Sequence, residues 1–139
     1  MSSPPDCVFC RIIAGEIPSR RVHADDVTYA FLDVAPWQRG HTLVVPRTHV
    51  PDLTTGPGVM ADLGPAVDTV ARMLVDRLAA DGINLLVSSG AAAGQEVGHL
   101  HVHLVPRYAD RPGLTNLVDP ATAEGAELDA VLARLTGPT

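Results

Sequence analysis

The chain has 139 residues, 46% of them apolar, enough for one domain with a hydrophobic core; with only 4% aromatic residues, that core is mostly aliphatic. A formal net charge of −6 excludes a general nucleic-acid binder, which needs a basic face, but allows a small phosphate ligand held by local amides and imidazoles. No run is long enough to span a bilayer, and residues 1–6 lack the basic and apolar regions of an export signal, so a cytoplasmic protein without a membrane partner is expected.

Cys7 and Cys10 form a C-x-x-C pair. Without an export signal, that spacing points to metal or redox chemistry rather than to a structural disulfide. Residues 22–33 hold two β-rich pieces around Ala24-Asp25-Asp26, which predicts a hairpin. Residues 41–45 read as a third strand, opened by Gly40 and closed by Pro46, and residues 54–58 as a Gly/Pro loop. Val67, Val70, Ala71, Leu74 and Leu78 recur at helical spacing, giving a long amphipathic helix that stops near Asp81-Gly82. Pro65 fits its first turn, or a kink in a helix that starts earlier. A buried strand is expected over 83–87, a Gly/Ala loop over 88–98, and a last long strand from 99 to 105, ending at Pro106. A final helix over 120–135, capped by Asp119, would carry Leu128, Val131, Leu132 and Leu135 on one side. Hairpin-linked strands with helices between and after them predict an α+β domain on an antiparallel sheet.

The last strand carries the chemistry. Alternate side chains of a strand share a face, and residues two apart are about 7 Å apart. His99, His101 and His103 therefore line one face, and Leu100, Val102 and Leu104 the core. Three imidazoles in register are costly to bury, so this face should border a cleft. Such a row suits either a metal ion or attack on a phosphate, because a neutral imidazole has one free lone pair. The preceding Gly90-Ala91-Ala92-Ala93-Gly94-Gln95 favours phosphate, since small side chains let backbone amides approach a ligand.

The run Gly94-Gln95-Glu96-Val97-Gly98-His99-Leu100-His101-Val102-His103-Leu104-Val105-Pro106-Arg107 resembles the histidine triad (HIT) superfamily of nucleotide hydrolases and transferases. Further matches are Cys7-Val8-Phe9-Cys10-Arg11-Ile12-Ile13, Gly15-Glu16-Ile17-Pro18, Ala30-Phe31-Leu32-Asp33 and Gly40-His41-Thr42-Leu43-Val44-Val45-Pro46. The resemblance covers residues 7–107 of a single HIT-like domain, leaving 108–139 as a C-terminal extension. It implies a sheet of about five strands, with one long helix and a C-terminal helix.

It also implies roles. His101 would attack the α-phosphate of a nucleoside 5′-monophosphate derivative and form a covalent nucleotidyl-histidine, with His103 orienting the phosphate and His41 as a further active-site histidine. Asp33 would hold the ribose, and Phe9, Ile12, Phe31 and Val34 the base. Gly94 and Gln95 would contact the phosphate or the leaving group. Two positions depart from the family pattern: Ser88 stands where many relatives carry Asn, and Glu96 where several carry Ser or Thr. A carboxylate there would repel phosphate, so Glu96 should turn away or pair with a cation. The C-x-x-C branch of the family implies a structural zinc on Cys7, Cys10, His49 and His99, and relatives are commonly homodimers. The competing expectations are a nucleotide-binding regulatory protein with little turnover, and a metalloenzyme whose triad itself holds the metal.

Overall fold

A computed structural model of the chain describes residues 4–111, 113–114 and 122–137. The elements are α1 (Val8–Ile13), β1 (Arg21–Ala24), β2 (Thr28–Leu32), β3 (Thr42–Pro46), α2 (Val59–Leu78), β4 (Gly82–Leu86), a 3-10 turn (Ala91–Ala93), β5 (Val102–Arg107) and α3 (Gly125–Thr136). The five strands form one sheet in the order β1-β2-β3-β5-β4, antiparallel throughout. This is the α+β fold that the sequence predicts.

The predicted hairpin is present. The Asp25 carboxylate closes its turn by accepting from the amides of Val27 and Thr28 at 2.9 and 2.8 Å. Strand alternation then divides the core between the two faces of the sheet. On one face Ala30, Val44, Val102 and Leu104 meet Leu63, Ala66, Val70 and Leu74 of α2. On the other, Phe31, Leu43 and Val45 meet Phe9, Cys10 and Ile12 of α1. Each fully buried aliphatic side chain contributes roughly 1.5–3 kcal/mol, so α2 is the firmer anchor and α1 is the lid of a smaller layer. Gly40, at φ +91°, leads into β3 in the left-handed region that favours glycine, and a Cβ there would crowd the Leu78 and Leu74 methyls of α2.

The elements refine the expectations at several points. α2 begins at Val59, so of the two expected placements of Pro65 the second holds: it lies inside a helix that starts earlier. Pro65 is exposed, so water can reach the carbonyl that its missing N–H would have bonded. α2 ends at Leu78 through Ala79 in the left-handed conformation (φ 57°), ahead of Asp81-Gly82. β4 is an edge strand rather than a buried one, and its Leu85 is 56% exposed. Pro46 closes β3 as expected, whereas Pro106 lies one residue inside β5; β3 pairs with β5 only over Thr42–Val44, so neither proline owes that side a hydrogen bond. α3 starts at Gly125, and its apolar row is exposed, with Leu128 59% and Leu135 78% accessible. The expected cap Asp119 and start Pro120 fall outside the described residues.

Candidate active site and metal centre

β5 begins at Val102, so His99, at the end of a bend, and His101 both precede the regular strand. The alternation still holds: Leu100, Val102 and Leu104 are buried on the α2 side. The opposite side does not form one open row. His99 is fully buried, His101 is 7% exposed, and His103 is half-buried. Each ring takes a different partner, and those partners fix its protons.

The His101 Nδ1–H donates to the carbonyl oxygen of His99 at 2.7 Å. A carbonyl can only accept, so in the neutral ring Nε2 keeps the lone pair. The ring lies against a cleft of about 480 Å³, within the size range of ligand sites. Phe9 packs edge-on against it at 5.2 Å.

His41, at 1% exposure, is the second fixed ring. Its Nδ1 accepts the Trp37 backbone amide at 3.1 Å, so Nε2 carries the proton and donates to His103 Nδ1 at 2.9 Å. His103 therefore holds its own proton on Nε2. Burial pushes the pKa of His103 down to about 4, helped by the neighbouring His101 and His41 and opposed by Asp33. Burial also lowers that of His41, against the attraction of Asp33. The pair is thus a neutral chain of donors ending at His103 Nε2–H.

Asp33, His41 and His103 have the composition of a metal site. Their tautomers oppose that use. A neutral His41 that ligates through Nε2 needs its proton on Nδ1, where the Trp37 N–H already points. Nor do His99, His101 and His103 converge on one point, because His99 faces the cysteines.

That second cluster is Cys7, Cys10, His49 and His99, with ligand atoms all within 4.8 Å of one another. The His99 Nε2–H donates to the Pro46 carbonyl at 2.9 Å, which leaves Nδ1 for a metal. His99 Nδ1 lies 3.1 Å from His49 Nδ1, 3.4 Å from Cys7 Sγ and 3.5 Å from Cys10 Sγ, and Cys10 Sγ is 3.3 Å from His49 Nδ1. A tetrahedral zinc with bonds of about 2.0–2.3 Å separates its ligands by roughly 3.3–3.8 Å, so the donor set fits within small adjustments. Burial drives the pKa of His99 to about 4, which keeps the ring neutral, as ligation requires.

The cleft brings together most of the remaining candidates. Phe9, Ile12, Phe31, Asp33, Val34, Ser88, Gly94, Gln95, Glu96, His101 and His103 all line it, and His41 stands behind His103. Val34 sits at the rim, 86% exposed. One Asp33 oxygen accepts the Ala35 amide at 2.8 Å, and the other lies 3.7 Å from His41 Nε2. The Gln95 side chain is already engaged: its oxygen accepts the Gly90 amide at 2.8 Å, and its amide group donates to Pro51 and Val97 carbonyls at 2.7 and 2.9 Å. Glu96 is exposed on the ridge between this cleft and a smaller one beside Cys7 and His49. Sequence reasoning missed Trp37, Ser19 and Leu43 in the wall. An aromatic residue in the polar loop before His41 was the available signal for Trp37.

An antiparallel α+β domain with a histidine-lined cleft and an adjacent Cys/His cluster defines the class. Residues 14–110 match the HIT domain, and the chain belongs to that family. It is 43% identical over 103 residues to adenylylsulfatase HINT3 of Arabidopsis thaliana, spanning 73% of this chain and 52% of that protein. It is 38% identical over 109 residues to adenosine 5′-monophosphoramidase HNT1 of Saccharomyces cerevisiae, spanning 78% of this chain and 66% of that protein. A zinc-bound histidine triad family protein from Mycobacterium smegmatis superposes with a TM-score of 0.72 at 38% identity, covering 94% of this chain and 95% of that one. The chain thus spans about half of the first relative's length and two thirds of the second's.

Proposed function

We propose that the protein hydrolyses or transfers nucleoside 5′-monophosphate derivatives, breaking the bond between the α-phosphorus and its leaving group through a covalent nucleotidyl-His101. The observation that carries this reading is the hydrogen bond from His101 Nδ1–H to the His99 carbonyl, which leaves Nε2 as the ring's only nucleophilic atom beside the cleft. Two relatives named as an adenylylsulfatase and an adenosine 5′-monophosphoramidase support an adenylate substrate with a small leaving group.

The base packs between Phe9, Ile12 and Phe31, with Val34 at the edge, and the ribose hydroxyls meet Asp33. His103 Nε2–H donates to a phosphate oxygen, backed by His41. The Gly94 segment lies along the phosphate, and the Gln95 side chain holds that segment in shape. In the first half-reaction Nε2–P forms, and the old bond's electron pair leaves with the departing group, which takes a proton from water. The imidazolium that results is stabilised by the His99 carbonyl. In the second, water attacks phosphorus, Nε2–P breaks, and the lone pair returns to Nε2.

Cys7, Cys10, His49 and His99 would hold a structural zinc, a role favoured by the four-ligand set and by the zinc-bound relative. That site supplies stability, not chemistry. A homodimer also belongs to this reading, and the exposed edge of β4 is the surface that it would cover.

The test is acid-free rapid quenching with an adenylate derivative, followed by intact-mass analysis. An adenylyl adduct on wild-type protein, absent from His101→Ala with binding retained, is expected, along with a rate loss of about a thousandfold or more. Nucleotide binding with neither adduct nor turnover would instead favour a regulatory nucleotide-binding protein.

A further inference from the structure

The base end of the cleft holds a hydroxyl that the proposed reaction leaves idle. Strand pairing sets a row across the cleft side of the sheet: His103 of β5 opposes Leu43 of β3, Leu43 opposes Phe31 of β2, and Phe31 opposes Arg21 of β1. Neighbouring strands are about 4.8 Å apart, so the row runs about 14 Å from the phosphate end to the outer strand. Phe31, a wall of the base slot, lies two spacings along it. The far edge of a base resting there points towards β1.

Ser19, two residues ahead of Arg21, lines the cleft at that end. Its place is fixed from both sides. The ladder reaches the next residue, because the Arg20 carbonyl accepts the Leu32 amide at 3.0 Å. The Ser19 hydroxyl lies 2.7 Å from the Tyr29 hydroxyl. Along β2, Tyr29 and Asp33 stand on either side of Phe31, two residues away on the same face. The bond to Tyr29 therefore turns the serine away from the ribose carboxylate and towards the base. Tyr29 is itself held in place: its ring packs on Phe31 at 5.8 Å, and the Arg47 guanidinium sits over it at 5.8 Å.

A phenol is a stronger donor than an alkyl alcohol, so the Tyr29 O–H donates and the Ser19 oxygen accepts. Ser19 then keeps its own proton and one lone pair. Elsewhere the base slot offers the apolar walls of Phe9, Ile12 and Phe31, which cannot tell one base edge from another. We infer that Ser19, positioned by Tyr29, reads position 6 of a purine. A 6-amino group donates to the free lone pair, and a 6-oxo group accepts the serine proton, so one hydroxyl serves both. This inference rests on the nucleotide reading above.

The experiment measures Kd by calorimetry for three nucleotides: AMP, inosine 5′-monophosphate, and purine riboside 5′-monophosphate, which carries only hydrogen at position 6. Wild-type protein should bind each of the first two about 3- to 10-fold more tightly than the third, the worth of one hydrogen bond. Ser19→Ala should bring both ratios to about one, and Ser19→Thr should keep most of each. Tyr29→Phe should fall between, because the serine hydroxyl then lacks the donor that orients it. Ratios are taken within each protein, so a general loss of affinity cancels. Wild-type ratios of one, or unchanged ratios in Ser19→Ala, overturn the assignment and leave the hydrolase reading standing. Wild-type ratios in Tyr29→Phe overturn its positioning role. Binding of none of the three overturns both the assignment and the nucleotide reading.

Discussion

Gln95 offers a sharp test of how the loop over residues 90–97 is held. Its side chain makes three hydrogen bonds: from the Gly90 amide at 2.8 Å, and to the Pro51 and Val97 carbonyls at 2.7 and 2.9 Å. One amide group thus joins both ends of the 90–97 loop to the segment after β3. A hydrogen bond contributes a net of about 0.5–1.5 kcal/mol. The site is half-buried and water can replace part of each bond, so Gln95→Ala should cost the closed loop about 1–2 kcal/mol. That makes amides of the loop, Gly90 above all, exchange with deuterium about 5- to 30-fold faster. Gln95→Glu should be worse despite its equal size, because a carboxylate oxygen would face two carbonyl oxygens where the donor group sat. Hydrogen exchange read at residues 90–97, beside kcat/KM on an adenylate substrate, separates this account from direct contact with phosphate. If Gln95→Glu abolished turnover while loop exchange stayed at the wild-type rate, the latch argument would be refuted.

Two further outcomes follow from the buried rings and thiols. About one zinc per chain should be measured in protein purified without added metal, and Cys10→Ser should lower both the metal content and the melting temperature. Equal melting temperatures for that variant and wild type would count against the site. His103 stays neutral in the fold down to about pH 4, against an ordinary value of 6.5, because it is buried. The unfolded chain therefore binds this proton first, and the stability it contributes is present above pH 6.5 and lost as pH falls towards 4. The ceiling is about 1.4 kcal/mol per pH unit, reduced because the ring is partly open to solvent. Urea titrations at pH 7 and pH 5 should show a smaller loss for His103→Gln than for wild type, and parallel losses would exclude His103 as the source.

Much of this was legible in the chain because period and punctuation carried it. Alternation placed Leu100, Val102 and Leu104 on the core side even though β5 begins only at Val102. The Asp25 turn announced the first hairpin, and the C-x-x-C pair announced the cysteine cluster. The start of α2 was hidden because its first turns are largely exposed and because Pro65 reads as a first-turn residue. Helix α3 was legible as a period but not as a packed element, since its apolar row meets nothing that the period can name. The family resemblance divided the histidines between the cysteine pair and the phosphate, but the contacts that fix each ring and its proton were not legible. They depend on acceptors far along the chain, such as the Pro46 carbonyl for His99 and His41 for His103, and on the Trp37 amide that sets the tautomer.

His99 acts at both of its ends. Its imidazole belongs to the cysteine cluster, while its carbonyl accepts the Nδ1–H of the His101 ring at 2.7 Å. A single residue is thus both a foundation stone and a gunsight, and the two duties cannot be separated by changing the side chain alone. Whatever rotates the His99 backbone turns the His101 ring with it, so, on the proposed mechanism, damage to the cysteines should be felt as poor aim before it is felt as unfolding. A designer who wished to retune this enzyme would gain more from stiffening the peptide between residues 99 and 101 than from adding contacts to the nucleotide.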